Sequence, residues 1–339
     1  TIMAVEDYAF YNCDSLMSVV ISERVSRIGN SSFSKCDILT SVDLPESVTD
    51  LGEGVFGRCP KLFSVNIPSK ITEIKARTFE YCESLPYVEL PEGLTHIGGD
   101  AFFDCMSIDS VVIPESVHSI GESAFSGCRM MSSINIPEGM TEIKDYTFAV
   151  CWKLNSIIIP KSVSRIGREA FYNCTGLQSV IMQENLKEIG AKAFMGCGKL
   201  SKIVCYATVP PKVENAIFAS KVYETAQLHV PEASLDSYKT ADEWSKFFNI
   251  FDIESCVKPV MHTDGAVVYD LQGNRISNMG ALKKGVNIVL MPDGTTKKIQ
   301  DVKKGDFVLT ADGTNQEVME TFSFEKPTIK FTFDDNRTI

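Results

Sequence analysis

A register of 23 residues runs through this chain without slipping. Steps of that length lead from Cys13 to Cys36, Cys59, Cys82, Cys105, Cys128, Cys151, Cys174 and Cys197. The same step leads from Phe10 to Phe33, Phe56, Phe79, Phe102, Phe125, Phe148, Phe171 and Phe194. With 11 Cys and 20 Phe among 339 residues, two coincident columns of this length do not arise by chance. A unit so short cannot bury its own apolar side chains, so the copies must stack into a solenoid whose core runs along its axis.

Within one unit, Val42 and Leu44 alternate with Ser41, Asp43 and Pro45, the period of a short strand with one buried face. Pro45 ends that strand by removing a donor and fixing φ, and Pro68, Pro91, Pro114, Pro137 and Pro160 repeat the stop. The remainder is too short for a full helix with two connections. The sequence therefore predicts a second extended piece around Val48–Leu51 and a helical or 3₁₀ turn around Val55–Cys59. Stacking sets the strands into one parallel sheet, and nine coils at about 4.8 Å each span on the order of 45 Å. The inward column Leu16, Leu39, Leu62, Leu85, Ile108, Met131, Leu154, Leu177 and Leu200 exchanges only apolar for apolar. Gly29, Gly52, Gly98, Gly121, Gly167 and Gly190 suggest a turn tolerant of positive φ. Lys75 and Lys144 stand in the same column, each followed three residues later by Thr78 or Thr147 where most coils have Ala, so left-handed geometry is not expected to be obligatory there.

The nine cysteines in register follow each Phe by three residues and read as a column of small buried thiols packed beside the rings. One Cys per coil makes a line and not the tetrahedron that zinc needs, although a strand spacing of about 5 Å leaves an occasional disulfide open. Charged residues make up 23% and apolar residues 44%, the balance of a core-forming protein. A net charge of −11 argues against nucleic acid or an anionic membrane surface as the main partner. No apolar run reaches the roughly 18 residues of a membrane span, and no signal peptide opens the sequence. Ile2, Val5, Ala9 and Phe10 already sit in register, so the array is expected to extend upstream of Thr1.

The register fades after Cys205. Residues 206–255 carry Pro210 and Pro211, an extended stretch from Ala226 to Pro231, and a capping-box pattern from Thr240 to Glu243. That pattern predicts a helix with Trp244, Phe247 and Phe248 on its apolar side, a different end unit that covers the last open core. Beyond Cys256, short extended segments separated by Gly turns predict a β-rich region that ends just after the strand-like Thr328–Phe333, as a truncated domain would. The expected organisation is a solenoid over 1–205, a small α+β cap over 206–255 and a small β-rich module over 256–339.

The pattern Cys-x-x-Leu-x-x-Val-x-Ile-Pro-x-x-Val-x-x-Ile-Gly-x-x-Ala-Phe resembles the BspA-like class of leucine-rich repeats over roughly residues 1–205. The cap, with Pro210, Pro211, Tyr238, Trp244 and Phe247, resembles the ends of such proteins. This resemblance implies an α/β leucine-rich-repeat solenoid, a curved parallel strand ladder with short extended or 3₁₀ turns on its other side. It further implies a non-catalytic binding protein, secreted or displayed at the cell surface, whose partner is an extracellular protein or glycan, host-derived in several members. Val268 to Val289 is similar to a small C-terminal β module of bacterial surface proteins. Met291 to Asp306 looks like part of a Hint domain, a family that cleaves through a Cys or Ser nucleophile and a later His. Residues 280–289 hold no Cys, Ser or Thr and no His follows His262, so this copy is expected to be incomplete or inactive.

Alternation along the strand places two columns on its outer face. One holds Ser41, Tyr87, Ser110, Ser133 and Ser156; the other holds Asp43, Asn66, Glu89, Val112, Asn135, Ile158, Ile181 and Val204. Tyr87, Ser110, Ser133 and Ser156 of the first column together with the second column make up the candidate partner-binding face; the second varies more from coil to coil, with Ile158, Ile181 and Val204 as an apolar contact patch. Glu23, Glu46, Glu92, Glu115, Glu138 and Glu184 form an acidic row just past the prolines, read as a solvated rim or as a docking surface for a basic partner. No catalytic, cofactor or metal site is expected. His96 and His118 fall in different columns with no Cys or Asp around them, Cys256 and His262 lie in a linker, and Asp293, Asp312 and Asp334 lack the ligand spacing of a calcium loop. Three roles remain open at this point: a binding module, a structural spacer for the C-terminal region, and a degenerate self-processing protein.

Overall fold

The computed structural model describes residues 3–253 and, beyond them, the backbone of six short strands. The chain divides into two compact units, Thr1–Val257 and Lys258–Ile339. The first is a solenoid held by three hydrogen-bonded ladders. Its main ladder is built from the predicted strands: Ser18–Val20, Ser41–Asp43 and Ser64–Val65, then Ser110–Val111 and Ser133–Ile134, then Ser156–Ile159, Ser179–Met182 and Lys202–Cys205. All pair in parallel, Val42 opposite Val65 and Ile157 opposite Val180, one repeat apart. Where the column carries proline, at Pro45, Pro68, Pro114, Pro137 and Pro160, the strand ends one to three residues before it, ahead of the lost amide donor.

The ladder breaks at the fourth coil, where residues 85–90 form no strand. In other coils the residue preceding the strand donates its N–H to the coil before it, as Thr40 does to Met17 O (2.9 Å) and Phe63 to Thr40 O (2.9 Å). Pro86 stands at that position in the fourth coil and has no N–H to give.

The second ladder uses two-residue strands such as Arg27–Ile28, Asp50–Leu51, Glu73–Ile74, His96–Ile97 and Ser119–Ile120, where the second extended piece was expected. The third ladder differs from expectation. No helix or 3₁₀ segment forms around the Phe column; the chain there makes consecutive turns. The residues two before and two after each Phe have positive φ, from Tyr8 and Asn12 in the first coil to Lys192 and Gly196 in the ninth. This geometry sends every second amide out of its coil: Ser31 N donates to Glu53 O (2.8 Å), Phe33 N to Val55 O (3.0 Å) and Lys35 N to Gly57 O (2.9 Å).

The conserved-looking glycines are therefore not the left-handed positions. Gly29, Gly52, Gly98, Gly121, Gly167 and Gly190 keep ordinary φ, and their role is close approach. A Cβ on Gly98 would lie 2.4 Å from Ala76 N, so the corner of this coil, like the other glycine corners, rests on the backbone of the one before. The Lys–Thr exchange also has an account. The buried hydroxyls of Thr78 and Thr147 donate to Lys75 O (2.7 Å) and Lys144 O (2.8 Å), which satisfies a polar group that Ala does not carry.

Along the core the rings from Phe10 to Phe218 stack at 5.1–5.8 Å between centroids, with interplanar angles of 3–18°. From Cys36 to Cys197 each in-register thiol donates to the carbonyl of the Phe in the preceding coil, at 3.0–3.3 Å. That carbonyl already accepts the amide of its own coil's Cys, for example Cys82 N to Phe79 O at 3.0 Å. A small side chain with one donor suits the place, and all cysteines among the described residues are free thiols.

The solenoid continues past Cys205. Gln227–Val230 and Asn249–Asp252 extend the main ladder by two coils, and Lys212–Val213 extends the second. Steps of 25 and 22 residues (Lys202 to Gln227, Gln227 to Asn249) hide these coils from a 23-residue count. Phe218 ends the ring stack, met edge-on by Tyr223, Phe247 and Trp244. The Trp244 indole donates to Pro211 O (2.9 Å) and the Tyr238 hydroxyl to Ala207 O (2.8 Å). The expected capping box does not form. Thr240 closes the helix Leu235–Thr240, its hydroxyl donating back to Asp236 O (2.9 Å), and Glu243–Lys246 is a 3₁₀ turn. Trp244 and Phe247 are buried as expected, whereas Phe248 is exposed.

In the second unit three antiparallel pairs are described: Ile288–Leu290 with Thr296–Lys298, Phe307–Leu309 with Asn315–Glu317, and Glu320–Thr321 with Phe331–Thr332. Cys256, His262 and the remainder of the segment resembling a Hint domain lie outside the described residues.

Candidate binding face

The outer columns of the main ladder divide into two parts. From the first to the fifth coil they are open. Asp43, Glu89 and Ser110 are exposed, and so are Val20 (93%), Tyr87 (64%) and Val112 (69%). Two further apolar side chains join them from the position just before the strand, Met17 (62%) and Phe63 (60%). Sequence reasoning missed these two because that position precedes the alternation. Phe63 and Tyr87 come from consecutive coils, beside the gap in the ladder at Pro86.

From the seventh coil the face closes. Ser156 is buried beside Asn155, to whose Oδ1 its hydroxyl donates (3.0 Å), and Ile158 and Ile181 are half-buried, as Ser133 of the sixth coil already is. Val204, expected to be exposed, is buried between its register partners Ile181 and His229, the latter stacked on Phe251 at 5.5 Å. In these coils the strands lengthen to four residues and large side chains stand opposite one another, each covering the next.

Asn66 and Asn135, exposed and half-buried respectively, are engaged by the fold. The Asn66 amide donates to Leu44 O (2.6 Å) and accepts from Leu44 N (2.7 Å); Asn135 does the same with Ile113 O and N, both at 2.7 Å. Each carboxamide thus prolongs the parallel ladder by one rung beyond the strand end. Asn135→Ala and Asn66→Ala should each lower stability by about 1–3 kcal/mol, because a backbone donor and acceptor at the edge of the core lose their partners. Thermal unfolding of the two variants checks this; an unchanged midpoint would mean that the amides serve only the surface.

The acidic row is exposed throughout, and part of it caps turns. Glu46 accepts from the Ser69 hydroxyl (2.7 Å) and Ser69 N (3.1 Å), which hold its carboxyl below the usual carboxylate range, and Glu115 accepts from Glu138 N (3.3 Å). At the cap, a shallow cleft contains Tyr223, Glu243 and Lys246, but the Tyr223 hydroxyl donates to Glu243 (2.5 Å) and Lys246 pairs with the same carboxylate. Among the described residues no three His, Cys, Asp or Glu side chains converge as metal ligands. Burial raises the thiols of Cys82, Cys105, Cys128, Cys151 and Cys174, that of Cys82 to about 12, so these are poor nucleophiles.

The model of the BspA type leucine rich repeat region, with 6 copies, matches residues 3–129 and 96–223. The chain belongs to this family. Among solved structures, the BspA-type chain is similar to a leucine-rich repeat protein of Bacteroides ovatus, with 25% identity over 63% of this chain and 68% of that one and a TM-score of 0.42. It is also similar to the leucine-rich repeat protein of T. pallidum, with 28% identity over 54% and 78% and a TM-score of 0.44. A third is a leucine rich cell surface protein of Faecalibacterium prausnitzii, with 24% identity over 74% and 82% and a TM-score of 0.42. No curated protein matches. Among the described residues of this BspA-type chain, no helix is long and apolar enough to cross a membrane.

Proposed function

We propose that this chain is a non-catalytic binding protein that works outside the cell or at its surface and holds a protein or glycan partner on the strand face of its first five coils. The observation that carries this reading is the set of exposed apolar side chains Met17, Val20, Phe63, Tyr87 and Val112, interleaved with Asp43 and Glu89 along the outer face of the main ladder. Large apolar side chains on water are costly unless something covers them. Aromatic side chains flanked by polar ones are the composition of interaction hot spots and also of platforms for sugar rings. With Asp43 and Glu89 between them and a net charge of −11, the face favours a partner that presents basic groups around an apolar centre.

The test immobilises the full chain and measures binding to a panel of purified extracellular matrix proteins, serum proteins and oligosaccharides. For a ligand so found, the triple substitution Phe63→Ser, Tyr87→Ser and Val112→Ser should weaken binding at least tenfold, about 1.4 kcal/mol or more. Substituting the rim residues Glu92 and Glu138 by Ser should leave it within about twofold. Equal binding by wild type and triple variant would remove the strand face as the site.

A further inference from the structure

We propose that His96 and His118 form a surface site for a divalent transition-metal ion of the nickel-to-zinc class. The two residues stand in adjacent coils of the second ladder, His96 within the strand His96–Ile97 and His118 one coil on, its amide donating to Thr95 O (3.1 Å). Both side chains are exposed, and their rings meet edge to face with centroids 4.4 Å apart and an interplanar angle of 82°. Two imidazoles bound cis to one ion at about 90°, as in square-planar or octahedral coordination, through metal–nitrogen bonds of about 2.1 Å, hold their ring centroids about 4.5 Å apart.

The neighbouring threonine prepares one of the two rings. The Thr95 hydroxyl has a single proton, which it donates to Thr72 O (2.9 Å). Toward His96 Nδ1, at 2.8 Å, the same oxygen can only accept, so Nδ1 carries the hydrogen. Neutral His96 is thereby fixed as the tautomer whose free lone pair is on Nε2, turned away from the threonine. A second partner on the non-ligating nitrogen is what orients metal-bound histidines elsewhere. Glu73 lies in register with His96 on the preceding strand and adds a negative charge beside the pair. Among the described residues no third side chain converges, so the remaining positions would be filled by water, and nitrogen with oxygen ligands suits nickel, copper and zinc better than calcium or magnesium.

Calorimetric titration of the full chain with Zn²⁺ alone, and separately with Ni²⁺ alone, in a non-chelating buffer tests the site. We expect one equivalent to bind. His96→Ala and His118→Ala should each weaken it at least tenfold, and Thr95→Val about 10-fold, as loss of an orienting partner does. His262→Ala should leave it unchanged. Absence of binding to the intact chain, or an affinity that survives the double substitution of His96 and His118, overturns the proposal. So does a site lost in His262→Ala.

Discussion

Phe125→Ala should lower the free energy of unfolding by about 3–5 kcal/mol, the range for removing a large aromatic side chain from a closed core. Phe125 is buried and stacks on Phe102 at 5.2 Å and on Phe148 at 5.8 Å, so one substitution opens a cavity that interrupts the ring column in both directions. In a solenoid each coil is stabilised by its neighbours, and a weakened interface in the middle divides the array. Urea unfolding of the variant should therefore show a lower midpoint and also a broader or two-step transition. Phe10→Ala, at a ring that is already partly exposed, should cost less than half as much. Equal losses at the two sites would show that the column is not a cooperative unit.

The second large effect comes from the smallest change. A Cβ added at Gly121 would lie 2.2 Å from Gly99 N and 2.5 Å from Gly98 C. Both atoms are backbone and belong to the preceding coil, so no rotamer change relieves the contact and the two coils must separate. Gly121→Ala should cost about 3 kcal/mol or more, the upper end for overpacking. Gly93→Ala is the control: nothing lies within 4 Å of the added carbon and φ is ordinary. Alanine there restricts the unfolded chain and should be neutral to stabilising, by up to about 1 kcal/mol. Thermal midpoints of the two variants, differing by one methyl each, separate close approach from backbone freedom.

The contrast also shows what a single sequence can say about this fold. The Phe, Cys and Leu columns were legible because each has one demanding environment repeated nine times, and the Pro column because its stop recurs six times. The left-handed positions were not, because sixteen of them carry residues other than glycine, Val150 and Lys35 among them. There the inter-coil amide rungs and the packing of the neighbouring Phe hold a conformation that local propensity disfavours. The glycine column suggested a turn tolerant of positive φ, with Lys75 and Lys144 arguing that such geometry was not obligatory; the coordinates show ordinary φ and a near neighbour instead. At the cap, Thr240 matched a helix start, yet its hydroxyl bonds backward to Asp236 and ends the helix before it.

The binding face shows the same division. The varying column at Asp43 was found correctly as the outer side of the strands, but variation did not reveal which members are free. Asn66 and Asn135 look like surface polar residues and act as backbone substitutes. Val204 looks like an exposed apolar residue and is covered by its ladder neighbours. Phe63 lay outside the two-residue period and became visible only when its exposure was known.

Segmented strand ladders, the amide rungs beside the Phe column and the stacked rings together hold each coil of the solenoid to the next, a stack with one kind of joint. Pulled from its two ends, such a stack is loaded along its axis, and the rungs of the outermost coil carry the force before those of any coil behind it. Releasing one coil frees 23 residues, a contour of about 75–80 Å from a piece that occupied only about 5 Å of the axis. A solenoid of this design attached at one end and bound at the other would lengthen coil by coil under shear, each step absorbing work while the coils that hold the partner stay folded.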